Sequence, residues 1–150
     1  SLFEAGRDLD VRAGCPNLIE RIEAGLLSYG SDISIDDTPF QVGLGKYCDL
    51  DAATGCIGHA VLTTRQDPDR QIRPMAVDGP AVLPINAHWP LTDSKGKAAG
   101  HISSITWSPD FQTNVAIAMV HRNHWTPGST LQVETPEGAR EAHVRETFWI

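Results

Sequence analysis

The chain has 150 residues and a net charge of −7, with 41% hydrophobic and 21% charged side chains. That composition excludes disordered, collagenous and coiled-coil architectures, and the length allows a sizeable core. No stretch approaches the ~20 apolar residues of a membrane span, no charged-then-apolar leader opens the chain, and no basic stripe offers a footprint for a phosphate backbone, so neither membrane nor nucleic acid is an expected partner. The acidity is uneven: residues 1–50 hold four basic and nine acidic side chains. Three cysteines (Cys15, Cys48, Cys56) without a C-x-x-C pair read as reduced thiols of a cytoplasmic protein.

Residues 1–8 read as the end of a helix with Leu2 and Phe3 on one face, and this abrupt helical opening suggests a chain whose beginning lies upstream. Residues 11–15 suit a short strand. Residues 16–24 predict a short helix with Pro16 in its first turn and an apolar stripe of Leu18, Ile19, Ile22 and Leu26. Gly25 stops it, because glycine enters the left-handed cap without steric penalty. Residues 29–39 are polar and turn-rich, a loop with a brief strand at most. A second short helix lies within residues 50–65, its apolar side set by Ile57 with Val61 and by Gly58 with Leu62. Residues 65–73 (RQDPDRQIR) form a charged linker.

From Ile72 onward the period changes to two. Residues 102–107 are β-rich. Residues 115–120 (VAIAMV) are continuously apolar, as expected of a strand covered on both faces. Leu131, Val133 and Thr135 alternate with polar residues, as do Ala142 and Val144, and Pro136-Glu137-Gly138 between them is a hairpin turn. Asp78-Gly79-Pro80, Lys95-Gly96 and Pro127-Gly128 mark further turns. The predicted fold class is α+β: a short α/β segment followed by an antiparallel barrel or sandwich of about six strands. The α/β segment is too small to bury its own core, so it either packs on the barrel or belongs to a larger domain.

Several constellations fail on chemical grounds. Gly43-Leu44-Gly45-Lys46 resembles a phosphate loop, but Phe40 stands where the first glycine belongs and Tyr47 where a Ser or Thr would meet the metal. A strand whose glycines permit close backbone approach is the simpler reading. Cys48, Cys56 and His59, with His121 and His124 apart, lack the paired spacing and fourth ligand of structural zinc, so no metal is expected. Asp36 with Asp37, and Asp49 with Asp51, read as solvated loop carboxylates. No G-x-S-x-G elbow is present. The four tryptophans (Trp89, Trp107, Trp125, Trp149) suit a barrel core or rim more than a stacked ligand. Read this way, the chain contains no catalytic residue and no self-contained active site.

Residues 21–33 (RIEAGLLSYGSDI) resemble the R-L-E-A-G-x-x-L-Y-G-x-[DE] stretch of the glycine-cleavage T-protein family of tetrahydrofolate-dependent aminomethyl- and methyltransferases. The likeness continues in order through residues 38–45 (TPFQVGLG), 57–62 (IGHAVL), 100–104 (GHISS) with Trp107-Ser108-Pro109, and 114–120 (NVAIAMV). It implies the C-terminal portion of such an enzyme. Residues 1–48 would be the tail of the folate-binding domain and residues 49–150 the C-terminal β-barrel domain, with the catalytic aspartate upstream of Ser1.

Two departures bear on the branch. Asn17 stands where the aminomethyltransferases carry an Arg at the folate site, and Lys46 stands where they carry a Trp. The wording of residues 16–21 and 26–30 and the ending at residues 145–150 (RETFWI) resemble instead a demethylase branch, which moves the S-methyl group of dimethylsulfoniopropionate to tetrahydrofolate. The resemblance implies tetrahydrofolate as cofactor, a small-molecule methyl donor, the remaining N-terminal part of the same protein as structural partner, and a segment that is inactive alone. Asn17, an amide, and Tyr29, a phenol at a channel edge, are the expected folate contacts. The alternatives are the aminomethyltransferase itself and a non-catalytic barrel module.

Overall fold

A computed structural model describes residues 2–9, 17–85 and 87–150, and the strand expected at residues 11–15, like Cys15, lies outside them. Six strands form a closed antiparallel barrel in the order β1-β4-β3-β2-β5-β6. They are β1 (Arg70–Val77), β2 (Trp89–Thr92), β3 (Ala98–Ser108), β4 (Thr113–His121), β5 (Thr130–Thr135) and β6 (Gly138–Val144). β6 closes the cylinder on β1 through Met75 opposite Val144 and Val77 opposite Ala142. The hairpin turn at Pro136-Glu137 is where the sequence puts it, with Gly138 at φ +119°.

The barrel is filled from every strand, by Met75, Val77, Leu91, Ile102, Ile105, Ala118, Leu131, Val133 and Ala142 among others. β4 explains its own continuous hydrophobicity. Ala116, Ala118 and Val120 point into the barrel, whereas Val115, Ile117 and Met119 point outward and pack with Ile22, Val42 and Ile72. Both faces are therefore dry, as the unbroken apolar run requires.

The cover on the outer face is α2 (Leu18–Glu23). Asn17 caps it, with Oδ1 accepting the Glu20 N–H at 2.8 Å. Gly25 ends it at φ +69°, and the N–H of Leu26 returns to the carbonyl of Arg21 at 2.9 Å. Because the helix stops there, Leu26 leaves the expected stripe and is 62% exposed, while Ile22 is fully buried. At the chain's end, the N–H of Trp149 donates to the carbonyl of Glu23 at 2.8 Å. Phe148 lies against Gly25.

Four sequence expectations are corrected. The charged linker ends at Asp69, since residues 70–73 already open β1. There Arg70 pairs outward with Asp37 at 3.0 Å, and Arg73 sits at a barrel mouth over the Trp125 ring. Their long side chains let a strand carry charge without burying it. Residues 43–47 form a turn and a 3-10 helix (Gly45–Tyr47) instead of a strand. The close approach expected of its glycines is real at Gly45, where a Cβ would sit 2.8 Å from the Phe40 ring. The second helix, α3 (His59–Thr63), exists, but its apolar side faces solvent, with Ile57 and Val61 exposed. The opening helix α1 (Leu2–Ala5) is a single turn, and Leu2 is exposed instead of covering a face.

Candidate functional site

A polar node joins α2, the following loop and the barrel wall. Asp32 has no solvent-exposed side-chain surface and sits opposite Arg21, whose Nη1 donates to its Oδ2 at 2.6 Å. The backbone N–H of Ser28 reaches the same oxygen at 2.8 Å. The hydroxyls of Ser103 and Ser104 both donate to Oδ1, at 2.6 and 2.7 Å. Arg21 Nη2 also donates to Ser104 Oγ at 2.8 Å. Burial pushes the Asp32 carboxyl up, but the donors from Ser103, Ser104, Ser28 and Arg21 outweigh it and hold the group below the usual carboxylate range.

Beside this node runs a groove of about 800 Å³. Asn17, Leu18, Glu23 and Leu26 form one side, and Phe111 and Ile150 the other. Glu23 is 4% exposed, and its Oε1 has no hydrogen-bond partner among the described residues. A buried carboxylate oxygen without a donor costs about 1–3 kcal/mol, so this atom marks where a donor is wanted. Of the two residues expected to contact folate, Asn17 lines the groove, with its Oδ1 engaged by the helix cap and no acceptor for its amide N–H groups among the described residues. Tyr29 does not line it. Its ring is 72% exposed, and its backbone bridges to Ile33.

A smaller pocket of about 260 Å³ is lined by the loop after α2, from Gly30 to Asp37, with Arg70, His88 and His101. His88 and His101 stack there with centroids 4.3 Å apart. Burial first, then the neighbouring His88 and Arg70, push the His101 imidazole from 6.5 down to about 4. Among the described residues Cys48, Cys56 and His59 do not gather into a ligand set: His59 Nε2 bonds the Leu50 carbonyl at 2.9 Å, and Cys56 is exposed. Asp37 is not a free carboxylate, since it pairs with Arg70 and accepts the Ser34 N–H. Trp89 and Trp125 pack on the barrel core, and the guanidinium groups of Arg73 and Arg122 lie 5.3 and 5.5 Å from the Trp125 ring centroid. Trp149 packs instead with the cluster outside the barrel.

Sequence reasoning missed Glu23, Phe111 and the four-residue node as site features. The signal was present, because Arg21 and Asp32 fall inside one stretch that carried the family resemblance, residues 21–33, and Ser103-Ser104 inside another, residues 100–104.

The architecture defines a closed six-stranded barrel with a capped helix and a groove against its outer wall. The glycine cleavage T-protein C-terminal barrel domain family matches residues 70–149, and the chain belongs to that family. It is 48% identical over 151 aligned positions to dimethylsulfoniopropionate demethylase DmdA of Ruegeria pomeroyi, covering 99% of this chain and 40% of that protein. An aminomethyltransferase of Synechococcus sp. (strain WH7803) is 34% identical over 86% of this chain and 35% of its own length. The crystal structure of glycine cleavage system aminomethyltransferase T from Bartonella henselae shares the fold, with a TM-score of 0.73, 22% identity, and coverage of 87% of this chain and 37% of that one. The chain thus spans well under half the length of these relatives. No helix among the described residues is long and apolar enough to cross a membrane.

Proposed function

We propose that this chain is the C-terminal portion of a cytoplasmic, tetrahydrofolate-dependent demethylase that takes the S-methyl group of dimethylsulfoniopropionate. Residues 1–48 would close the folate-binding domain and residues 49–150 would form the barrel domain. The observation that carries this reading is the 48% identity to the demethylase over 99% of the chain, against 34% for the aminomethyltransferase. Asn17 in place of the expected Arg, and Lys46 in place of the expected Trp, favour the same branch.

In such a transfer, tetrahydrofolate would supply N5 as the methyl acceptor and give up its proton to solvent, and the sulfonium, on losing its methyl group, would depart as a neutral thioether. A sulfonium is already a good leaving group, so the protein's task is chiefly to position two substrates. The residues here fit one wall of a folate site. The Glu23 oxygen lacks a donor, tetrahydrofolate carries N–H donors, and Leu18, Phe111 and Ile150 supply an apolar surface. Asn17 and Glu23 would hold polar edges of the cofactor. Tyr29 would contribute only if another part of the protein brought a ligand to its exposed ring.

The test is turnover by the full-length protein offered dimethylsulfoniopropionate or the lipoylated aminomethyl carrier, each with tetrahydrofolate. Demethylation of the sulfonium supports the proposal. Turnover of the carrier-bound substrate alone replaces it with aminomethyl transfer, and turnover of neither leaves the barrel as a non-catalytic module. Calorimetry on residues 1–150 by themselves is expected to show weak or absent folate binding and no activity. Micromolar binding would contradict the view that most of the site lies elsewhere.

A further inference from the structure

On the barrel wall, three metal-ligating side chains converge, Asp78 just beyond the end of β1 and Glu141 and His143 on β6. β1 and β6 are paired antiparallel, with Val77 opposite Ala142, and the Asp78 N–H donates to the Glu141 carbonyl at 2.9 Å. Ala142 points into the core. Glu141 and His143, one residue to either side of it, therefore share the outer face with Asp78. One ligand atom from each of Asp78, Glu141 and His143 lies within 4.8 Å of the others, and His143 Nε2 is 3.2 Å from Asp78 Oδ2. Ligands bound 2.0–2.2 Å from a zinc ion in tetrahedral geometry stand about 3.4 Å apart, so small side-chain rotations close the set.

Two further features separate this cluster from a chance gathering of surface acids. The imidazole is fixed from behind, because its Nδ1 meets Thr130 Oγ1 of β5 at 3.2 Å, leaving Nε2 directed at the carboxylates. A second ring nitrogen held by a neighbour is the usual outer support of a metal-bound histidine. Arg140, next to Glu141 in the chain, is already engaged: it pairs with Glu137 and donates to the Pro80 carbonyl. Two carboxylates are thus held close by strand pairing, with the His143 imidazole beside them.

We propose that Asp78, Glu141 and His143 form a binding site for a divalent cation of the zinc type, with water completing the coordination. The nitrogen–oxygen donor set and the short ligand spacing favour zinc over calcium, which takes six to eight oxygen ligands. The site is independent of the folate groove and of the methyl-transfer reading.

The test is calorimetric titration of the 150-residue chain with Zn²⁺, paired with Co²⁺ absorption. One ion per chain with micromolar affinity is expected, and the cobalt spectrum should show no thiolate charge-transfer band. His143→Ala should abolish this binding while leaving the melting temperature in chelator unchanged within a few degrees. Thr130→Val, which keeps all three ligands, should weaken binding by about tenfold. Absence of binding, binding unaltered by His143→Ala, or a thiolate band assigning the ion to the cysteines would each overturn the proposal.

Discussion

Asp32 and Ser104 stand 72 positions apart in the chain, yet the serine hydroxyl donates to the carboxylate at 2.7 Å. The contact depends on an irregularity in β3. Ile102 pairs with Ala118 and Ser104 with Ile117, so Ser103 is an extra residue in a bulge. Adjacent strand residues normally face opposite ways, but the bulge turns both serines toward the same oxygen of Asp32. The helix-bearing segment is thereby bound to the barrel by a buried charge that four donors satisfy.

Removal of that charge should be costly. Asp32→Ala leaves the Arg21 guanidinium without its carboxylate and is expected to destabilise the fold by about 3 kcal/mol, read as a shift in urea midpoint. Ser103→Ala removes a single donor and should cost about 1 kcal/mol. Equal effects of the two would show that the carboxylate is not the hub.

The acid side of the stability profile should have two components. The folded pKa of Asp32 lies below that of an unfolded Asp. Its stabilisation is therefore complete above the unfolded value of about 4 and is lost as pH falls through the folded pKa. For His101 the folded value is about 4 against 6.5 unfolded. Between these values the unfolded chain binds more protons, so stability is full above pH 6.5 and declines as pH falls toward 4. His101→Gln should flatten the upper window and leave the lower one intact. An unaltered slope from pH 6.5 to 4.5 would assign it to another group.

Two glycines should differ in their tolerance of alanine. At Gly100, φ is +143° and a Cβ would lie 2.1 Å from the Met119 carbonyl oxygen, which belongs to the barrel backbone and cannot yield. At Gly25, φ is +69° and the obstacle is the Phe148 ring at 2.5 Å. Gly100→Ala should therefore abolish folding or cost more than about 3 kcal/mol. Gly25→Ala should cost less, and part of its cost should vanish in combination with Phe148→Ala. Thermal melts of the four variants check both statements.

Asn17 has a structural duty that must be separated from any ligand contact. Asn17→Asp keeps the oxygen that caps α2 and loses the amide donors, whereas Asn17→Ala loses both. In the full-length demethylase proposed above, Asn17→Asp should raise the folate KM several-fold, in keeping with one lost hydrogen bond of about 1 kcal/mol, with little change in melting temperature. Asn17→Ala should lower stability by a further ~1 kcal/mol. An unchanged KM in both variants would remove Asn17 from the site.

Much of this was legible in the residues. Alternation marks β5 and β6, and glycine and proline mark their turn, because strand period and positive φ are local properties that each side chain expresses where it stands. The unbroken apolar run at residues 115–120 even announces that β4 is covered twice. The start of β1 was hidden because Arg70 and Arg73 look like linker residues until Asp37 and Trp125 are in place beside them. The exposure of Ile57 and Val61 was equally illegible, since an apolar side on a helix states a preference and not a partner.

By itself, then, the sequence determined four of the barrel's strands, β3 to β6, the short helix with its glycine stop, and the family. Tertiary structure alone decided that Arg21, Asp32, Ser103 and Ser104 share one buried charge, that Glu23 is left without a donor, and that Asp78 faces His143. The division has a simple cause. Backbone conformation answers to neighbours a few residues away, whereas the chemistry of a carboxylate answers to whichever donors the closed chain brings within 3 Å of it.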